Sequence, residues 1–229
     1  MTVTPTTLTR AAGLSAVAGG LLFIAVQINH PHLDAGFVTT TEWLLRESTK
    51  IAMAVLSLIG ITGIYLRQVK QIGVLGLLGY LLFGAGYLMI LATQVIAVCV
   101  LPTLARSEPG YVNDVLAVAS GGHAAGDIGL MQPLSMVSGV AYIGGGVLFG
   151  IALFRAGVLA RWASVLLSVG AAATVGVALL PQVNYRLFAI PASIALIGLG
   201  WSLWRLPATA AAVQSSPVTA SQLDPAGVQ

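Results

Sequence analysis

The chain has 229 residues, of which 57% are apolar and only 7% are charged, and its formal net charge is +3. A soluble globular domain carries about 25% charged residues, so this composition cannot cover a water-facing surface and excludes an ordinary soluble domain. No basic run accompanies the small net charge, which excludes nucleic acid as a partner. The single cysteine, Cys99, excludes a disulfide framework and a thiolate metal site.

Long apolar segments dominate the chain. A helix that crosses the roughly 30 Å hydrocarbon core of a bilayer needs about 20 apolar residues. The sequence therefore predicts an all-α, polytopic transmembrane helix bundle surrounded by the lipid bilayer, with one domain over residues 1–205. Residues 206–229, rich in Ala, Ser, Thr, Pro and Gln, are predicted to form a disordered cytoplasmic tail. The six predicted spanning helices cover residues 11–29, 48–66, 72–101, 128–154, 162–180 and 187–204.

Basic residues predict the orientation of these helices. Two short connections are basic: one carries Arg67 and Lys70, and the other carries Arg155 and Arg161. Short loops rich in Lys and Arg stay on the cytoplasmic side. We therefore expect a multi-pass protein of the plasma membrane with both termini in the cytoplasm and the two long loops outside.

The two long loops contain helical signals of their own. Thr39 and Glu42 have the spacing of a capping box, which predicts that the second helix begins near Thr40. Glu42, Arg46 and Lys50 then recur every four residues, a spacing that favours ion pairs along a helix. Residues 111–120 are predicted to form a short amphipathic helix on the outer interface.

Small residues at helical spacing predict where the helices touch. In lipid, apolar burial gives little driving force between helices, so close approach at small side chains marks their contacts. The predicted contact stripes are Ala12, Ala16 and Gly20; Ser135 and Gly139; Gly146 and Gly150; and Ser164, Ser168, Ala172 and Gly176.

Polar side chains inside the apolar segments are candidates for a ligand-binding site. Tyr80, Tyr87 and Gln94 are seven residues apart and share one face of the third helix, while Gln132 marks the outer half of the fourth. Polar groups in a membrane need a partner or a function. One interpretation is a pocket or a hydrogen-bonded chain, and the simpler one is interhelical hydrogen bonding that supports packing.

Histidines beside the outer ends of helices are candidates for a metal site. His30 and His32 follow the first helix, and His123 and Asp127 precede the fourth, where an early helix start would place them on one face. Imidazole and carboxylate groups can bind zinc or another divalent ion. The simpler interpretation is that Asp127 favours a helix N-terminus and the histidines lie in the headgroup region. No cofactor is predicted.

The connection between the fourth and fifth segments carries a resemblance to a known family. The stretch Gly146-Val-Leu-Phe-Gly-Ile-Ala-Leu-Phe-Arg155, the stretch Val158-Leu-Ala-Arg-Trp-Ala163 and the start Arg10-Ala-Ala-Gly13 are its main elements, together with Pro191. With these, the chain resembles a bacterial family of small integral membrane proteins known as domain of unknown function 4386. The resemblance implies an architecture over roughly residues 10–205 and carries over no activity or site residues.

The sequence contains no motif for a familiar enzymatic reaction, such as a phosphate-binding loop or a His-Glu-x-x-His helix. A non-enzymatic role is therefore favoured. The prediction is a small lipophilic ligand bound through an outward-facing polar mouth. The alternatives are a membrane partner subunit of another protein or a homo-oligomer, a metal- or haem-dependent membrane enzyme, and a transporter, which the lack of a charge near the bilayer midplane disfavours.

Overall fold

A computed structural model describes residues 4–28, 31–175 and 189–206, and within these ranges the fold is helical with no strand. This confirms the predicted all-α class. The predicted tail lies almost wholly outside the described residues. In chain order the helices are α1 (Pro5–Gln27), α2 (Ala35–Val38), α3 (Thr41–Arg67), α4 (Gly73–Cys99), α5 (Leu101–Ser107), α6 (Pro109–Ala119), α7 (Met131–Ala156), α8 (Arg161–Ala173) and α9 (Ala189–Arg205).

Four of these helices are long and apolar enough to cross a membrane. They are α1, α3, α4 and α7, with 23, 27, 27 and 26 residues. The described parts of α8 and α9 coincide with the fifth and sixth predicted segments but have only 13 and 17 residues. Most of the connection between them lies outside the described residues. Four spans are therefore supported by length and composition, and the full set of six stays a prediction.

The six longest helices form a closed ring in chain order. α1 packs on α3, α3 on α4, α4 on α7, α7 on α8, α8 on α9, and α9 returns to α1. Short turns join two pairs of these neighbours, α3 with α4 and α7 with α8, which favours antiparallel packing. One such turn ends α7 at Gly157, whose φ of 65° lies in the left-handed region that glycine adopts without strain.

Small residues allow the close helix contacts, as the stripes predicted. A Cβ placed on Gly60 would overlap Ala16, so α1 and α3 approach here almost backbone to backbone. Gly150 meets Ser164 and Ser168 across the α7–α8 contact. Gly139 is the exception, because a Cβ placed there would meet no described atom within 4 Å. Gly176 lies outside the described residues.

A cap of three short helices, α2, α5 and α6, covers one end of the ring; we call this end the cap end. Its buried core joins α2 and α6 to the start of α3 and the end of α4. The side chain of Asn113 accepts a hydrogen bond from the Ala35 backbone N–H at 2.8 Å. Asp114 accepts bonds from the backbone N–H groups of Ala125 and Gly126 at 3.0 and 2.8 Å, which holds the loop after α6 in place.

One predicted detail of the cap end needs correction. The helix start near Thr40 is confirmed, but its capping side chain is Thr40 itself, which accepts the Trp43 N–H at 3.2 Å. Thr39 instead donates its hydroxyl to the Gly36 carbonyl. The predicted helix at 111–120 is present as α6, and α7 begins at Met131, three residues after the predicted start of the fourth helix.

Candidate ligand-binding cavity

A cavity of about 470 Å³ lies between the cap and the cap-end halves of the ring helices. Its walls are mainly apolar side chains of α1, α3, α4, α6 and α7, such as Phe23, Ile90, Leu116 and Ile143. Small-molecule sites are typically concave, mainly apolar and about 300–1,000 Å³ in volume. The cavity therefore has the size and character of a site for one small molecule.

The cavity remains open because small residues face it where larger ones would fill it. Ser135 and Gly139 of α7, predicted as a helix contact, both line the empty space. Trp43 also lines the cavity. It is 3% exposed, and its indole N–H donates to the Ala97 carbonyl at 3.0 Å, which ties the start of α3 to the end of α4.

A buried ion pair lies in the cavity wall. Lys50 Nζ is 2.5 Å from Glu47 Oε1, and their side chains are 19% and 4% exposed. Trp43, Glu47 and Lys50 follow one another at spacings of four and three residues and so lie on one face of α3. The predicted four-residue spacing is confirmed for Glu42 and Arg46, which pair at 2.8 Å on the more exposed side of the helix. Lys50 instead pairs with Glu47, which the sequence analysis did not single out.

Two further polar groups of the wall lack a hydrogen-bond partner among the described residues. These are the side-chain oxygen of Gln94 and the hydroxyl of Tyr142, which is a 7% exposed residue. The Tyr142 ring lies 5.5 Å from the ring of Tyr87, whose hydroxyl faces those of Tyr142 and Ser57 without completing a well-oriented hydrogen bond. Buried polar groups are normally satisfied by protein, water or ligand, so this part of the wall can accept a polar guest.

The predicted ligand residues are only partly brought together. Gln94 lines the cavity, whereas Tyr80, Tyr87 and Gln132 are not part of its lining. Tyr87 is fully buried behind Tyr142. Tyr80 stacks on Tyr65 with ring centroids 4.4 Å apart and shares a 3.2 Å hydrogen bond with Thr62, which is the packing role of the simpler interpretation.

The predicted metal residues are dispersed as far as they are described. His30 lies outside the described residues. His32, His123 and Asp127 are exposed, and the part of the chain that the structure describes contains no group of three His, Cys, Asp or Glu side chains able to hold a metal ion. His123 and Asp127 lie in the loop before α7, where Asp127 accepts the Gly129 N–H at 2.8 Å. They therefore share no helix face. A metal site that includes His30 stays a prediction, because His30 lies outside the described residues.

Comparison of the chain with protein-family models, with curated proteins and with solved structures found no match in any of the three. The resemblance to domain of unknown function 4386 therefore stays a prediction, and the cavity has to be interpreted from its own residues.

Proposed function

We propose that this chain is a six-helix plasma-membrane protein that binds one small, mainly apolar molecule in the cavity beneath the cap. The observation that carries the proposal is the cavity itself, about 470 Å³ of mainly apolar wall with a few polar groups on α3, α4 and α7. This is the pattern by which binding sites combine affinity from apolar burial with orientation from a small number of polar contacts.

The proposed orientation has both termini in the cytoplasm and the cap outside. It is supported by the basic residues near the turns opposite the cap, because short loops rich in Lys and Arg stay in the cytoplasm. In a Cys99→Ser background, we expect His123→Cys in the cap-end loop to react with a membrane-impermeant maleimide in intact cells. Val69→Cys, on the exposed turn after α3, should react only after the cells are permeabilised. Labelling in the opposite order would reverse the proposed sidedness.

Ligand binding can be followed through Trp43, which lines the cavity and is shielded from its surroundings. Trp162, Trp201 and Trp204 lie on α8 and α9 near the end opposite the cap, so Trp→Phe substitutions at these three positions leave Trp43 as the only tryptophan. With the protein in nanodiscs, the dibromides of decene and decenol serve as probes, because bromine quenches indole fluorescence on close contact. We expect quenching that saturates with probe concentration.

A cavity-filling substitution tests whether this quenching arises in the cavity. Gly139 lines the cavity, and a Cβ there meets nothing described within 4 Å, so Gly139→Leu should enter the empty space without displacing a helix. We expect the affinity for the probes to fall by about tenfold or more, because the loss of a few apolar contacts costs more than about 1.4 kcal/mol.

The matched control is Gly144→Leu, on the same helix and equally free of neighbours among the described atoms, but outside the cavity lining. It should bind the probes like the parent protein. Quenching that never saturates, or that is the same in the Gly139→Leu and Gly144→Leu proteins, would contradict binding in the cavity.

A further inference from the structure

We infer, on the basis of the proposed binding function, that the cavity selects an uncharged amphiphile with a hydroxyl head, held at Glu47, Lys50 and Gln94. The apolar body of such a molecule would lie against the hydrophobic side chains of α1, α4, α6 and α7. Charge balance and hydrogen-bonding capacity argue for this ligand class independently.

Charge balance argues against an ionic head. Among the described residues of the lining, the charged side chains are Glu47 and Lys50, and they neutralise each other at 2.5 Å. An anionic head would bring a second negative charge beside Glu47, and a cationic head would bring a second positive charge beside Lys50. Either head leaves one charge in the cavity without a counter-charge, which is unfavourable away from water. A neutral head leaves the pair intact.

Hydrogen-bonding capacity favours a hydroxyl among neutral heads. The ion pair uses one of the three N–H donors of Lys50 and one of the two oxygens of Glu47. The side-chain oxygen of Gln94 has no hydrogen-bond partner among the described residues and is an unmatched acceptor in the lining of the same cavity. A hydroxyl both donates and accepts, so it can accept from Lys50 while donating to Glu47 or Gln94. A ketone or ether can only accept and would leave the Gln94 oxygen unmatched.

Four probes with the same chain and different heads test the inference in the protein that keeps only Trp43. They are the dibromides of decenol, decenyl sulfate, decenyl trimethylammonium and decene, so the two ionic heads keep their charge at every working pH. We expect the alcohol to bind about tenfold tighter than the headless chain, as one or two hydrogen bonds to charged groups allow. The sulfate and the ammonium should bind more weakly than the alcohol by at least the same factor.

Two substitutions identify the residues that recognise the head. Gln94→Leu should lower the affinity for the alcohol several-fold and leave the headless chain unaffected. Glu47→Gln removes the anion but leaves Lys50 charged, so the preference should change from the alcohol to the sulfate. Glu42→Gln is the matched control, because Glu42 belongs to the exposed pair with Arg46 outside the lining, and it should preserve the preference for the alcohol.

The outcomes separate this inference from the proposed function. If a charged or headless probe binds the parent protein as tightly as the alcohol, the inferred ligand class is wrong while the cavity remains a binding site. The same conclusion follows if Glu47→Gln leaves the order of affinities unchanged. If none of the four probes quenches Trp43 saturably, the proposed binding function itself fails.

Discussion

Replacing Gly145 by leucine is expected to destabilise the helix bundle by about 3 kcal/mol, at the upper end of the usual cost of overpacking. Gly145 lies on α7 where the helix meets α4, and a Cβ at this position would collide with the backbone of Phe83. The contact is reciprocal: a Cβ on Gly79 would lie 2.5 Å from the Phe149 nitrogen, and one on Gly86 would lie 2.7 Å from the Tyr142 nitrogen. Backbone cannot move aside as a flexible side chain can, so the two helices would have to separate.

The neighbouring residue provides the control for this prediction. A Cβ on Gly144 meets no described atom within 4 Å, so Gly144→Leu adds the same volume at a position that faces outward. Titration of both variants with sodium dodecyl sulfate in mixed micelles, followed by circular dichroism, measures the free energy of unfolding. Equal midpoints for Gly145→Leu and Gly144→Leu would show that α4 and α7 do not meet as described.

The helices were predictable because their cause is local. A run of apolar residues long enough for a bilayer can be counted in the sequence, and the observed bounds of α1, α4 and α7 agree with the predicted segments to within a few residues at most ends. The early start of α3 was predictable too, because Thr39 and Glu42 have the spacing of a capping box and so indicated a helix N-terminus ahead of the apolar run. Similarly, the glycine and alanines predicted on α1, and Gly146 and Gly150 on α7, indicated helix contacts.

The cavity was less predictable than the helices, because it depends on space that the side chains of neighbouring helices leave unfilled. Ser135 and Gly139 have the same spacing as Gly146 and Gly150, yet one pair borders empty space and the other meets α8. Which of these applies depends on how far apart the neighbouring helices lie at each position, and the spacing of small residues does not give that distance. Gln94 was identified as a site residue from its polarity in an apolar helix, but Tyr80 and Tyr87 on the same face lie deeper, among aromatic rings.

Glu47 shows why a charged residue near a helix start does not by itself reveal which way its side chain faces. The predicted helix start near Thr40 includes Glu47, but the predicted ion pairs involved Glu42, Arg46 and Lys50 and left Glu47 out. The structure places it in the second turn of α3, with its side chain 4% exposed. The sequence did contain a signal for this placement: Lys50 follows three residues later, which is a spacing at which a helical ion pair forms.

Removing the positive charge of the Glu47–Lys50 pair should also strongly lower the free energy of unfolding. Lys50→Met keeps much of the side-chain length but leaves the Glu47 carboxylate without the ammonium group now 2.5 Å away. Losing one partner of a buried ion pair costs about 3–5 kcal/mol, because the remaining charge stays desolvated. Since Lys50 is 19% exposed, we expect a loss near the lower end, about 3 kcal/mol of unfolding free energy.

The double variant Glu47→Gln/Lys50→Met shows whether the stability lost by Lys50→Met comes from the unpaired Glu47 carboxylate or from lost packing. Both substitutions nearly preserve shape, and together they leave no charge in this wall, so much of the stability lost by Lys50→Met alone should return. Lys70→Met, at an exposed position in the turn after α3, controls for the substitution itself and should change the unfolding free energy by less than about 0.5 kcal/mol. If the double variant were as unstable as Lys50→Met, the cost would come from packing around Lys50. The Glu47–Lys50 pair would then not be the charge-balanced element on which the proposed selection of a neutral ligand depends.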